Sequence, residues 1–213
     1  MKQCSRSDVG IQPLRERVKQ VTREAILAAG EAVFSERGFS GARVEEIAER
    51  AGVAVGTLYN YFEDRRAILD AVLDASAHKL AARLAEGRLP ASAGFARQLE
   101  QFLDIAVEEV ERGVRLYAVV LGEELEGGRS GLARKKGPLM LRVVYEAADR
   151  IVSEAVRAGG LRPEDAPIYP ALLVGMLRGL LMRQLCIDAR QPLRSYVGPL
   201  TRFFLDGAAR RPA

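Results

Sequence analysis

Few side chains in this sequence could support catalysis. Its 213 residues include one histidine, His78, and two cysteines, Cys4 and Cys186, which are far apart and form no CxxC motif. A zinc site or a disulfide framework would need more of these residues at closer spacing. The sequence contains neither a glycine-rich phosphate loop nor a nucleophile elbow. It therefore predicts a protein without enzymatic activity, without a metal and without a cofactor.

A short uncharged polar segment is the most distinctive chemical feature. Residues 55 to 61 contain hydroxyl, phenol and amide groups but no charged side chain. On a helix, Leu58 and the following Phe62 point to the core because they are four residues apart. The outer surface then consists of Val55, Gly56, Thr57, Tyr59, Asn60 and Tyr61. Its polar groups can hydrogen-bond to a partner.

A preceding helix and a glycine turn would hold this surface in place. Four apolar residues fall on one face of the preceding helix: Val44, Ile47, Ala48 and Ala51. Gly52 follows them, and a glycine there can adopt the left-handed conformation that turns the chain. Ala48 is small enough for two helices to cross closely, and Leu58 anchors the second helix. The pattern at about 43–62 therefore predicts a helix-turn-helix.

Two longer segments resemble the TetR (tetracycline repressor) family of bacterial regulators. GVAVGTLYNYFEDRRAIL, which begins at Gly52, is similar to the family signature GVSxGTLYxHFxxKxxLL. TREAILAAGEAVFSERGF, which begins at Thr22, is similar to the first helix of the family and its closing GF or GY dipeptide. The resemblance covers residues from about 20 to 80. Beyond them it is one of length and helix pattern only.

The resemblance implies that the second helix of the motif enters the major groove of DNA. It assigns phosphate or backbone contacts to Thr57, Tyr59, Tyr61 and Arg65, with Tyr61 replacing a usual histidine and Arg65 a usual lysine. The base-facing positions are Val55, Gly56 and Asn60. An asparagine can pair with both hydrogen-bonding groups of an adenine edge, whereas a valine offers only apolar contact.

Two cap positions depart from the family pattern. Ala42 and Arg43 stand where hydroxyl residues usually cap the second helix, and Ala54 stands where a serine usually caps the third. Loss of a cap costs roughly 0.5–2 kcal/mol. We therefore expect a recognition helix that is firm only on DNA, with Arg43 contacting a phosphate instead of capping.

The net charge of +4 is unevenly distributed. The helix-turn-helix is not basic, so attraction to phosphates must come from Arg43, Arg65, Arg66 and a basic N-terminal arm, residues 1–19. The arm is expected to become helical after Pro13, with Thr22 as an alternative N-cap. It is either a solvated tail or a segment that enters the minor groove.

The remaining pattern predicts an all-α fold. Residues 20–80 form a three-helix DNA-binding domain, and a long helix joins it to a helical effector-binding and dimerisation domain, residues 81–213. A helix break is expected near Arg112 and Gly113, a loop at Glu126–Gly131 and a helix start at Pro138. The absence of an apolar leader or a membrane-length apolar segment predicts a soluble, cytoplasmic protein.

Two strongly apolar helices near the C-terminus predict a homodimer interface. Leucines and Met176 recur in adjacent pairs from 172 to 181, and one subunit cannot cover all of them. The predicted interface residues are Leu172, Gly175, Met176, Gly179, Leu180, Arg183, Val197, Leu200 and Phe204. The residues of the effector pocket are not identified, although Tyr117, Tyr145 and Met176 are candidates for which a core role is favoured.

Two functions remain open. The resemblance implies a homodimeric repressor that a small, lipophilic molecule releases from a palindromic operator in double-stranded DNA. The alternative is an interaction protein of the same fold whose recognition helix serves a protein partner or non-specific DNA. Val55 and the near-neutral helix favour the alternative. The residues that favour the repressor are Thr57, Tyr59, Tyr61 and Arg65.

Overall fold

A computed structural model describes residues 14–125, 139–187 and 191–208, with the backbone alone for 119–125. These residues form helices and turns and contain no β-strand, which confirms the all-α prediction. The α-helices in these ranges are α1 (Leu14–Gly41), α2 (Val44–Arg50), α3 (Val55–Tyr59), α4 (Arg65–Glu86), α5 (Phe95–Leu125), α6 (Leu139–Arg157), α7 (Tyr169–Cys186) and α8 (Val197–Ala208). The predicted loop at 126–131 and the helix start at Pro138 lie outside the described residues.

Contacts divide the chain into two compact units, residues 1–69 and 70–213. The division falls inside α4, and the domain boundary predicted at residue 80 lies in the same helix. Unit 1 contains α1 to α3 and the first turn of α4. Unit 2 contains the rest of α4 and the helices that follow.

The core of unit 1 forms where the apolar faces of its helices meet. Ile26, Val33 and Phe34 of α1 are fully buried, as their helical spacing predicts. The α1 helix begins at Leu14, so the predicted helical extension of the arm is confirmed. The alternative, in which Thr22 is the N-cap, is wrong because Thr22 lies inside α1. Its hydroxyl donates to the carbonyl oxygen of Val18 at 2.9 Å, one turn back inside the helix.

Unit 2 is a helical bundle built around α5. The buried residues of α5, α6, α7 and α8 form one apolar cluster that includes Leu103, Val152 and Leu173. The rings of Tyr169 and Phe204 meet edge to face, with centroids 5.6 Å apart, where α7 and α8 approach each other. Gly159, with a φ of 74°, turns the chain after α6.

The predicted break near Arg112 and Gly113 is wrong because α5 runs through both residues. The ring of Tyr117 occupies the space beside Gly113, where a Cβ would lie 2.7 Å from it. Arg112 forms ion pairs with Glu108 and Glu109 on the preceding turn. These contacts along the helix offset the low helix propensity of one glycine.

Candidate DNA-binding surface

The α2–α3 pair forms the predicted helix-turn-helix. Gly52 has a φ of 69°, and the N–H of the next residue, Val53, donates to the carbonyl oxygen of Ala48 at 3.0 Å. This closing hydrogen bond is typical of a helix that ends at a left-handed glycine. Ile47, Ala48 and Leu58 are almost completely buried, so the two helices cross closely and α3 has a fixed position on unit 1.

The outer surface of α3 and the turn after it is open. Gly56, Tyr59 and Asn60 are exposed, and Val55, Thr57 and Tyr61 are partly exposed. Among the described residues, none donates to or accepts from the side chains of Thr57, Tyr59, Asn60 or Tyr61. These groups are therefore available to a partner. Helix α3 ends at Tyr59, earlier than predicted, so Asn60 and Tyr61 lie in the turn that follows it.

Both helices of the motif begin without a side-chain cap, as the sequence predicted. Arg43 and Ala54 occupy the N-cap positions with extended backbone, and neither side chain bonds to a free N–H of its helix. Helix α4 is different, because Asp64 accepts a hydrogen bond from the N–H of Ala67 at 2.7 Å. Whether DNA makes α3 firmer stays a prediction.

Most arginines close to the motif form internal contacts. Arg50 donates to both carboxylate oxygens of Glu36, at 2.8 and 2.7 Å, and to Glu46 at 2.7 Å. Its hydrogen bond to Glu36 is the main cause of a raised pKa. Arg37 forms a longer ion pair with Glu46. In contrast, Arg43 is exposed and has no ion-pair partner among the described residues, so it remains available to a phosphate.

Arg65 has an internal role that the sequence did not indicate. Its Nη1 donates to the carbonyl oxygens of Ala42 at 2.8 Å and Ser40 at 3.4 Å. Its guanidinium lies 4.4 Å from the ring centroid of Phe39, and that of Arg66 lies 5.9 Å from the same ring. No local pattern connects residues this far apart in sequence. The predicted phosphate contact of Arg65 stays a prediction.

Three of the nine predicted dimer-interface residues are buried inside their own subunit. Leu180, Val197 and Phe204 belong to the buried core of unit 2. The other six predicted residues are exposed or partly exposed: Leu172, Gly175, Met176, Gly179, Arg183 and Leu200. Phe203, the neighbour of Phe204 on α8, is 74% exposed. Burial depends on how the helices rotate against one another, which an apolar pattern on nearly all sides does not define.

The described residues of unit 2 line an open groove and a narrow crevice, and neither of these is an enclosed apolar cavity of effector size. One is an open groove of about 420 Å³ with charged walls that include Arg97, Asp104 and Arg194. The other is a crevice of about 30 Å³ between α4, α5 and α6, lined mainly by apolar side chains such as Leu84, Phe102 and Ala147. Of the candidate pocket residues, Tyr145 is exposed, and Tyr117 and Met176 are partly buried.

Residues 26–72, which include α2, α3 and the start of α4, match the family described as bacterial regulatory proteins, tetR family. A relative that extends beyond this region is the HTH-type transcriptional repressor DhaR of Mycobacterium sp. (strain GP1). It is 25% identical over 82% of this chain and 88% of its own. Over residues 26–72 this chain is thus of the TetR family. The predicted family is therefore confirmed, and this TetR-family protein is a DNA-binding transcriptional regulator.

Other known proteins resemble this chain over very different shares of its length. The HTH-type transcriptional repressor BepR of Brucella suis biovar 1 (strain 1330) is 48% identical, but over only 24% of this chain and 25% of its own. The crystal structure of FadR from Bacillus subtilis in complex with stearoyl-CoA covers 86% of this chain and 98% of its own, with a TM-score of 0.74 and 22% identity. It shows the same fold. Within the described ranges, no helix has the length and apolar character to cross a membrane.

Proposed function

We propose that this protein is a homodimeric repressor that binds a palindromic operator and leaves it when a small lipophilic molecule binds unit 2. The exposed face of α3 is the observation that supports operator binding most directly. Its hydroxyl and amide groups have no partner in the described chain, although the helix itself is anchored by buried Leu58. A helix that is anchored on its unit and exposes free hydrogen-bonding groups fits the major groove. Action on bacterial DNA would place the protein in the cytoplasm.

The proposed contacts divide into two classes. Thr57, Tyr59 and Tyr61 would donate to phosphates and fix the position of the helix, together with Arg43 and Arg65. Asn60 would read an adenine edge, with Val55 and Gly56 beside it against the base pairs. Gly56 is exposed, and a Cβ placed there would meet nothing within 4 Å in this subunit. A glycine at that position lets DNA approach the backbone of α3 closely.

The proposed dimer interface uses a stripe along the exposed face of α7. Ile168 is 51% and Leu172 is 49% exposed, and Gly175 and Gly179 continue the same face at helical spacing. A Cβ at either glycine would meet no atom within 4 Å, so neither glycine is needed by its own subunit. Phe203 of α8 supplies a further exposed apolar group. Two copies of this surface would bury these side chains in a four-helix contact.

The crevice between α4, α5 and α6 is the proposed effector site. It has room for about one water molecule, so a lipophilic ligand would have to push these helices apart. Such movement is a way for ligand binding in unit 2 to change the geometry of a dimer. Because the solved relative from Bacillus subtilis holds stearoyl-CoA, a series of acyl-CoA and free fatty acids is a reasonable first set of compounds.

Operator binding can be tested by selecting binding sites from random duplexes and then measuring affinity over a salt series. A repressor should bind a selected palindrome about 10³- to 10⁷-fold more tightly than random duplex at physiological salt. The near-neutral α3 and the internal pairing of Arg37 and Arg50 favour the alternative of an interaction protein. Equal affinity for selected and random DNA at all salt concentrations would support that alternative and contradict the repressor.

Effector binding can be tested by thermal shift with the same compounds, followed by operator release. A ligand of the crevice should raise the melting temperature and lower operator affinity. Ala147→Phe should fill the crevice and abolish both effects. Leu141→Phe is the matched control, because Leu141 lies on the same helix and is 42% exposed. A compound that acts equally on both variants would bind elsewhere.

A further inference from the structure

The first two turns of α1 leave an apolar stripe uncovered. Every residue from 14 to 21 is exposed, and Leu14, Val18 and Val21 are 74%, 56% and 65% exposed. Their spacing of four and three residues puts them on one side of the helix, away from the core face that contains Ile26 and Val33. Two turns of helix without tertiary contacts are marginal in water. Such a segment is stabilised when another surface covers its apolar side.

Charged side chains beside the stripe form a self-complementary pattern. Arg17 and Glu24 are seven residues apart and therefore lie along the same edge of the stripe. Arg17 has no partner in the described chain, and Glu24 accepts a hydrogen bond from Gln20 at only one of its two oxygens. In an antiparallel pair of identical helices, each Arg17 would face the Glu24 of the other copy. A parallel pair would instead bring Arg17 toward uncharged Thr22.

We propose that the N-terminal turns of α1 dock on the same turns of a second copy, in antiparallel orientation, when two dimers occupy neighbouring operators. This inference rests on the proposed binding of dimers to operators. The contact would bury Leu14, Val18 and Val21 and form two Arg17–Glu24 pairs around a two-fold axis near Gln20 and Val21. Leu14 would then lie beside Ala28, which continues the exposed stripe.

The contact is too small to hold dimers together in free solution. It spans about 21 Å of helix at 1.5 Å per residue, and stable interfaces bury roughly 1,200–2,000 Å² over a much broader surface. DNA that holds two dimers side by side raises their effective concentration to about the millimolar range. The stripes of two dimers should therefore contact each other only when both dimers are bound to DNA. The contact then makes the binding of the second dimer more favourable.

The experiment uses the full chain and duplexes that contain one or two copies of the selected operator. The centre-to-centre spacing is changed in single base pairs over one helical turn, and occupancy is counted by mass photometry. At one operator spacing, the second wild-type dimer should bind with an affinity about 5- to 150-fold higher than the first, which is the usual range for coupled sites. At the opposite phase this ratio should fall to about one, because the helices face apart.

Val18→Ser and Val21→Ser should abolish the enhancement while leaving affinity for a single operator within about twofold, the effect of a surface change. A charge exchange gives a matched test. Arg17→Glu and Glu24→Arg each place like charges opposite each other and should remove the enhancement, and the double variant should restore it. Circular dichroism of each variant reports whether α1 still folds.

Two results would overturn the proposal. One is independent loading of the two sites at every spacing, with single-operator binding intact, which would leave the proposed function standing. The other is that Val18→Ser loses affinity for a single operator by the same factor as for each site of a double operator. That result would show that the stripe contacts DNA and not a second dimer. Failure of the wild type to prefer the selected operator would contradict the proposed function itself.

Discussion

Arg65 and Ala42 are joined by a hydrogen bond of 2.8 Å from the guanidinium Nη1 to the backbone carbonyl oxygen. Ala42 is completely buried between α1 and α2, and Arg65 is the first residue of α4. The bond therefore connects the start of the fourth helix to the segment from which the helix-turn-helix begins. The stacked ring of Phe39 holds the guanidinium in place. Arg65 thus helps to orient the motif even if it also contacts DNA.

Arg65→Ala is expected to lower the free energy of unfolding of unit 1 by about 1–2 kcal/mol, since a hydrogen bond from a charged, partly exposed group contributes about that much. Hydrogen exchange of the backbone amides of α2 and α3 would measure the loss. Binding should weaken for all DNA sequences alike, and the slope of log affinity against log salt should flatten by about one unit. Arg65→Lys, which retains the charge, should retain the slope but not the exchange protection. A loss confined to one operator base would contradict this assignment.

Tyr59→Phe removes a hydroxyl that is exposed and has no partner in the described chain. Stability should change by less than about 0.5 kcal/mol, as for an ordinary surface substitution. Affinity should fall by a similar factor for operator and random duplex, because a phosphate contact carries no sequence information. Titration of both duplexes at one salt concentration provides the measurement. Wild-type affinity for both would remove Tyr59 from the contacts.

Asn60→Ala should have the opposite effect on DNA. We expect discrimination at one or two base pairs of the operator to fall by about 1–3 kcal/mol, with little change in the salt slope. The measurement is a binding-site selection repeated with the variant and compared with the wild type. Thr57→Ala serves as a control, because its loss should lower affinity without altering the selected sequence. An unchanged sequence preference in the asparagine variant would show that Asn60 does not read bases.

Ala54→Ser would supply the missing cap of α3. The backbone at this position is already extended, with φ −67° and ψ 147°, as an N-cap requires. The serine hydroxyl can accept from a free N–H in the first turn, so we expect stability to rise by about 0.5–2 kcal/mol. Thermal unfolding measures the gain, and Ala54→Val, which has no acceptor, is the control. If the uncapped helix becomes firm only on DNA, the serine variant should also bind more tightly.

Gly179→Glu would introduce a charged side chain on the proposed dimer stripe. The structure leaves open space around this glycine, so the subunit itself should still fold. We expect monomers in sedimentation and loss of operator binding, since one recognition helix reads only a few base pairs. Leu185→Glu is the control, because Leu185 is exposed on α7 at a different angle around the helix. A stable Gly179→Glu dimer with wild-type affinity would exclude this interface.

The sequence alone determined the parts of this protein in which local spacing decides the structure. Gly52 between two apolar helical patterns predicts the turn, and Leu58 with Phe62 predicts which face of the recognition helix is buried; both residues are buried in the structure. The absence of hydroxyl groups at Arg43 and Ala54 likewise predicts the missing caps. These features depend on neighbours within one or two turns, which the sequence displays directly.

Only the tertiary structure decided which side chains form long-range contacts and which remain exposed after the helices pack. Arg65 contacts Ala42 and Phe39 because three helices meet there, and no periodic pattern reports such a meeting. Leu180 and Leu172 are both leucines of α7, yet one is buried and the other is 49% exposed. The difference arises from the rotation of α7 against its neighbours. An apolar pattern on nearly all sides of a helix is compatible with many rotations, so the packed bundle alone selects one.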